Sequence, residues 1–215
     1  MITAAPAAAP TRASSIPSSR WPPTSSPSWI ASASRAHFAG HSTGGAIGQV
    51  LAQDQPERIA SLVLSATWAG QDAFFRRCFE VRKQVLLQSG VESYLRASVP
   101  FLAPGWWVSA NDAALEAQHR AQVAASPPVE ILASRIDAIV RFDRRARLGK
   151  IAAPMLVVVA ADDMLTPRFY SEELASAIPD AKLHVLSGGG HFAPVIVPDE
   201  YNAAVGAFLA GHRHL

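Results

Sequence analysis

Three side chains in this sequence have the types and settings that nucleophilic acyl transfer needs. Ser42 stands inside Gly40-His41-Ser42-Thr43-Gly44, Asp163 inside the stretch Ala160 to Pro167, and His191 directly after Gly188-Gly189-Gly190. A serine hydroxyl at its ordinary pKa is a poor nucleophile. It needs a base within hydrogen-bond reach, and that base needs an anion that fixes its tautomer and stabilises the imidazolium. Glycines on both sides of Ser42 suit a chain that turns sharply from strand into helix, holding the hydroxyl exposed while neighbouring backbones pass too close for a Cβ on either side. Asp162 rivals Asp163 for the acid, since only one of the two can face the histidine. His191 is preferred as the base because three glycines before it let a loop carry an imidazole over the serine. His184 alternates within a strand, His119 lies in a charged helix, and His212 and His214 sit in the terminal tail. His41 is expected to point away from the site.

These groups can meet only if the elements before them end side by side. Ala36, Phe38 and Ala39 read as a short buried strand leading into Ser42, and the small-residue run from Gly45 to Ala52 as a helix able to lie close on a sheet. Ile59 to Ser65 gives the next strand. Met155 to Ala161 is a continuous apolar run, β-branched at its centre, which suits a parallel strand buried on both faces, and it ends at the aspartates. Lys182 to Leu186 is a shorter strand that ends at the glycine loop. Between them, residues 70–150 carry helical patterns broken at Ser89-Gly90, Pro100 to Gly105 and Ser126-Pro127-Pro128. Thr166-Pro167 predicts a helix start with a capping hydroxyl, after which Phe169, Tyr170, Leu174 and Ile178 face the sheet. Tyr201, Val205, Phe208 and Leu209 give the last helix its buried stripe. Strands alternating with helices predict an α/β fold with a parallel sheet and covering helices.

Taken as a set, GHSTG, AADDMLTP and GGGHF resemble the α/β-hydrolase superfamily over about residues 36–210. The resemblance implies a serine hydrolase in which Ser42 attacks a small acyl substrate, His191 moves the proton, Asp163 orients the imidazole and the backbone N–H of Thr43 is one oxyanion donor. Ester, lactone, amide and carbamate substrates all fit, with no cofactor and no metal. Cofactor-free haloperoxidase-like chemistry also fits, whereas the dehalogenases of this fold use an acid where Ser42 stands. The segment Phe75-Arg76-Arg77-Cys78-Phe79-Glu80-Val81-Arg82, followed by Gly105-Trp106-Trp107, is similar to the cap of the aminoacrylate or carbamate hydrolases of pyrimidine utilisation, and to that of enol-lactone hydrolases. The implied organisation is a partial α/β-hydrolase core at 36–69 and 151–215, contributing the last four strands, with a helical cap at 70–150. Trp106 and Trp107 would line a substrate pocket or anchor that cap.

Composition narrows the alternatives. A chain of 215 residues, 49 % of them hydrophobic, can bury one sizeable core and is read as a single intracellular, cytoplasmic unit. A net charge of +2 comes from scattered arginines rather than a basic stripe, so no nucleic-acid partner is expected. No apolar run approaches the length of a membrane span. The single cysteine, Cys78, excludes an internal disulfide and falls on the apolar side of a helix with Phe75, Phe79, Val85 and Leu86.

Residues 1–35 differ from the rest. Twenty-six of them are Ala, Pro, Ser or Thr and none is acidic, so they cannot supply apolar strands and read as disordered or frameshift-derived. Back-translated with GC-rich codons and read in a neighbouring frame, they yield a D-x-R-G-x-G-x-S segment that resembles family sequence and joins the chain at Ala36. Members of the family carry some ninety residues before the nucleophile, including an oxyanion loop, so an N-terminal truncation or frameshift is expected. The strand before Ser42 would then have an open edge inviting self-association. The competing reading is an inactive remnant or an interaction fragment without that loop.

Overall fold

The computed structural model describes residues 35–212. The expectations placed on residues 1–34 lie outside the described residues. Four parallel strands form one sheet: β1 (Ala36–His41), β2 (Ile59–Ser65), β3 (Met155–Ala160) and β4 (Lys182–Leu186), ordered β1-β2-β3-β4. The register runs Phe38 to Leu62 to Met155 across the first three strands, and Val158 to His184 across the last pair. Among the described residues β1 lies at one edge, paired only with β2.

Every residue of β2 and β3 is buried, which is why both read as unbroken apolar runs rather than as alternations. Alternate side chains feed two cores, because successive Cβ atoms leave opposite faces of a strand. On one face Leu62, Leu64, Met155 and Val157 pack with Ala52 of α1 (Thr43–Asp54) and with Leu174 of α5 (Arg168–Ala177). On the other, Val63, Leu156, Val158 and Leu186 pack with Phe208 of α7 (Pro198–Ala210), whose partly buried Tyr201, Val205 and Leu209 complete the expected stripe. The short α6 (Ala193–Ile196) precedes α7.

Between β2 and β3 the chain inserts α2 (Ala73–Leu102), α3 (Gly105–Ala125) and α4 (Val129–Arg141). Their ends fall at the breaks read from the sequence. Ser89-Gly90 does not end α2 but kinks it, with Gly90 at φ 78°. A third cluster joins this insertion to the sheet layer: Phe75, Cys78, Phe79 and Leu86 of α2 and Ile136 of α4 pack against Trp68, Leu165 and Tyr170. Cys78 is buried, as expected. Among the described residues no helix is long and apolar enough to cross a membrane.

Three details depart from expectation. Trp106 is 61 % exposed at the first turn of α3, so it neither anchors the insertion nor lines an enclosed pocket. Phe169 is also exposed, because it leads α5 one position out of phase with Tyr170 and Leu174, which take the buried face. The N-cap of α5 is Pro167 and no side chain caps it; the Thr166 hydroxyl is engaged elsewhere.

Candidate active site

In a parallel sheet all carboxyl ends emerge on one edge, so the loops after β1, β3 and β4 converge there. Ser42 follows β1 directly and adopts φ 53°, a left-handed conformation that a non-glycine residue holds only when its surroundings over-determine it. Its N–H donates to the Ser65 carbonyl at 2.8 Å, and its own carbonyl accepts from Gly45 N at 2.9 Å and Thr67 Oγ1 at 2.8 Å. These bonds fix the turn. The glycine requirement falls differently from expectation. A Cβ on Gly40 would sit 2.3 Å from the Gly44 carbonyl oxygen and one on Gly45 2.7 Å from the Thr67 Cβ, whereas one on Gly44 would meet nothing within 4 Å.

The Ser42 hydroxyl lies 2.9 Å from His191 Nε2, and His191 Nδ1 lies 3.1 Å from Asp163 Oδ2. His191 and Asp163 are only 2 % and 4 % exposed. The geometry suits a Ser O–H donating to Nε2 and an Nδ1–H donating to the carboxylate. Asp163 Oδ1 in turn accepts from the N–H groups of Leu165 and Thr166, both at 2.9 Å. With the Thr166 hydroxyl donating to Oδ2 at 2.8 Å, four donors surround a buried carboxylate, the condition under which burying a charge is tolerable.

Asp162 and Asp163 take separate tasks. Asp162 faces solvent, and its Oδ1 accepts the Gly190 N–H at 2.8 Å, tying the glycine loop to the loop after β3. On the other side of His191 in the chain, Phe192 N donates to the Leu102 carbonyl at 3.0 Å, so the end of α2 holds the same loop. A small cavity of about 70 Å³ lies between these pieces, lined by Leu102, Pro104, Asp162, Met164 and Gly190. Thr43 is the first residue of α1, where a backbone N–H has no intrahelical acceptor and the helix dipole favours negative charge.

His41 corrects the sequence reading. Its ring stands against that of His191, centroids 5.0 Å apart, with Nδ1 3.1 Å from Ser65 Oγ. Burial, and then the neighbouring His191, lower its pKa to about 4, so it is neutral at physiological pH. Its position next to the serine was visible in the sequence; the turn that brings its ring back over the loop was not. Thr166, whose place in the sequence predicts a helix cap, instead touches both Asp163 and His191. The Asp-x-x-Thr spacing, which lets a hydroxyl fold back onto a carboxylate, was the available signal. Of the other histidines, His184 lies in β4 and His119 in α3, where it is unexpectedly buried. Among the described residues no cluster of three or more His, Cys, Asp or Glu is placed to hold a metal ion.

Comparison with known proteins agrees with this architecture. The family model of the alpha/beta hydrolase fold matches residues 32–195. The chain is 44 % identical over 167 residues to a candidate carbamate hydrolase, RutD, of Azorhizobium caulinodans, covering 78 % of this chain and 63 % of that protein. Its counterpart in Caulobacter vibrioides strain NA1000 is 41 % identical over 177 residues, covering 82 % of this chain and 66 % of the relative. The chain thus spans just under two thirds of the length of these relatives. Among solved structures, the enol-lactonase of Burkholderia xenovorans LB400 superimposes with a TM-score of 0.73 at 26 % identity, over 82 % of this chain and 66 % of that one. A hydrolase from Pseudomonas aeruginosa PA01 does so with a TM-score of 0.71 at 32 % identity, over 81 % and 64 %. With its strands in this order, its loops on this edge and this match over most of its length, the chain belongs to the α/β-hydrolase fold family.

Proposed function

We propose that the chain is a serine hydrolase that cleaves a small ester, lactone, amide or carbamate through an acyl-enzyme. One observation carries the reading: the unbroken line of contacts from Ser42 Oγ through both nitrogens of a buried His191 to Asp163. Ser42 Oγ attacks the acyl carbonyl as its proton passes to His191 Nε2, and Asp163 stabilises the resulting imidazolium. The carbonyl oxygen becomes an oxyanion, for which the Thr43 N–H is a donor at the positive end of α1. The imidazolium then protonates the leaving group as the tetrahedral species collapses to an ester on Ser42. Water, deprotonated by His191, attacks that ester, releases the acid and restores the serine hydroxyl. The helices α2 to α4 serve as a cap whose end at Leu102 borders the reacting groups. The names of the relatives, a carbamate hydrolase and an enol-lactonase, favour carbamates and lactones within this range.

A fluorophosphonate probe with peptide mass spectrometry tests the reading. Labelling is expected on Ser42 and is expected to vanish in Ser42→Ala and fall at least a hundredfold in His191→Ala. Labelling on another serine, or undiminished labelling in His191→Ala, would overturn it.

A further inference from the structure

We propose that Thr166 is a positioning residue for His191, acting through Asp163; the inference rests on the hydrolase reading above. Thr166 is 1 % exposed, and it grips the carboxylate at both oxygens. Its N–H donates to Oδ1 at 2.9 Å and its hydroxyl to Oδ2 at 2.8 Å, so the carboxyl plane cannot turn without breaking one of them. The same hydroxyl oxygen lies 3.2 Å from His191 Nδ1.

A threonine hydroxyl carries one proton and two lone pairs. With an anion and a ring nitrogen both in reach, the proton goes to the anion, which is the nearer and stronger acceptor. A lone pair is left facing Nδ1. That nitrogen then looks at two acceptors, Asp163 Oδ2 and Thr166 Oγ1, and no donor, so it must carry the ring proton. Nε2 is left with its lone pair towards Ser42, the tautomer that a general base needs. The β-branch restricts the side chain to few rotamers, which suits a fixed strut. The one local alternative, capping of α5, is absent: the N-cap is Pro167 and receives no side-chain bond.

Thr166→Val keeps the shape and removes the hydroxyl, and Thr166→Ser restores it. The rate of fluorophosphonate labelling at Ser42, and kcat on a p-nitrophenyl ester, are expected to fall about tenfold in Thr166→Val, the rate equivalent of one charge-assisted hydrogen bond. KM should stay within about twofold, because no substrate contact is lost. Thr166→Ser should recover most of the rate. In the proton NMR spectrum of the whole chain, the downfield Nδ1–H resonance of His191 should shift or broaden in Thr166→Val and return in Thr166→Ser, a readout that a purely structural role would not move. Wild-type rates and an unchanged resonance in Thr166→Val would overturn the inference. A wild-type chain that never labels would sink the hydrolase reading instead. The resonance would then decide the role of Thr166 alone, a change reversed by Ser keeping it and no change ending it.

Discussion

His41 meets two demands at once. Its backbone forms the last residue of β1 and leads into the strained Ser42, while its ring fills the space beside His191. With a pKa near 4 in the fold against 6.5 as its ordinary value, it binds a proton more readily when the chain is unfolded. Stability from this group is therefore complete above about pH 6.5 and is lost as the pH falls through 4, by an amount on the order of 3 kcal/mol. His41→Gln removes the titration and keeps a polar partner for Ser65. Its unfolding free energy, measured in urea, should decline less than that of wild type between pH 7 and 4.5; parallel curves would contradict the assignment. The glycines of the turn give a second test. Gly40→Ala drives a Cβ into backbone atoms and is expected to cost several kcal/mol, at the severe end for single substitutions, whereas Gly44→Ala, in the first turn of α1 with open space around it, should be neutral or stabilising by up to about 1 kcal/mol. Thermal melts of the two variants distinguish these outcomes. A glycine-serine-glycine frame was legible in the sequence. Which glycine is sterically required was not, because that depends on how the first turn of α1 folds back over Gly40 and on Thr67, beyond the end of β2, which confines Gly45.

The helices of the insertion were legible as elements because their ends are marked by proline and glycine, which act on the backbone locally. What holds them against one another was not legible. α2 kinks at Gly90, and Arg82 before the kink reaches across to the second half, with Nε 3.2 Å from Ser98 Oγ and Nη2 3.2 Å from the Tyr94 hydroxyl. Its guanidinium also lies over the Phe79 and Tyr94 rings, and burial pushes its pKa below the usual guanidinium value. A periodicity reading sees an arginine on a helix and assigns it to solvent; only the fold-back of the chain makes it a staple. Arg82→Met, which keeps the stem and removes the donors, should cost about 1–3 kcal/mol in urea unfolding. Gly90→Ala should cost about 1 kcal/mol or more through its positive φ. If Arg82→Met is as stable as wild type, the kink is held by apolar packing alone.

At the scale of the molecule, the parallel sheet was legible because β2 and β3 are apolar throughout, and the meeting of Ser42, Asp163 and His191 because each follows a strand end. The clasp that closes the insertion was not, since it joins an arginine that reads as solvated surface to backbone carbonyls about 75 positions away. Residues before α2 and after α4 come together: Gly70 bridges to Asp143, and Arg144 N donates to the Ala69 carbonyl at 2.8 Å. Arg145 locks them, with Nη2 donating to the Gly70 carbonyl at 2.7 Å, Nη1 to Asp143 at 3.1 Å and to the Gln71 carbonyl at 3.3 Å, and Nε to Glu173 of α5. One guanidinium thus ties both ends of the insertion to the sheet layer, a task that its fixed fork of donors can perform and a lysine ammonium cannot. Arg145→Met should lower the unfolding free energy by about 2–3 kcal/mol, and Arg145→Lys should recover only part of it. Hydrogen exchange localises the effect. Backbone amides at 72–80 and 140–148 should exchange faster in Arg145→Met while those of β2 and β3 keep their protection, because loosening a clasp opens the insertion before the sheet. Uniform acceleration across β2 and β3 would instead make Arg145 part of a single cooperative unit, and the insertion could not then move as a cap without unfolding the sheet beneath it.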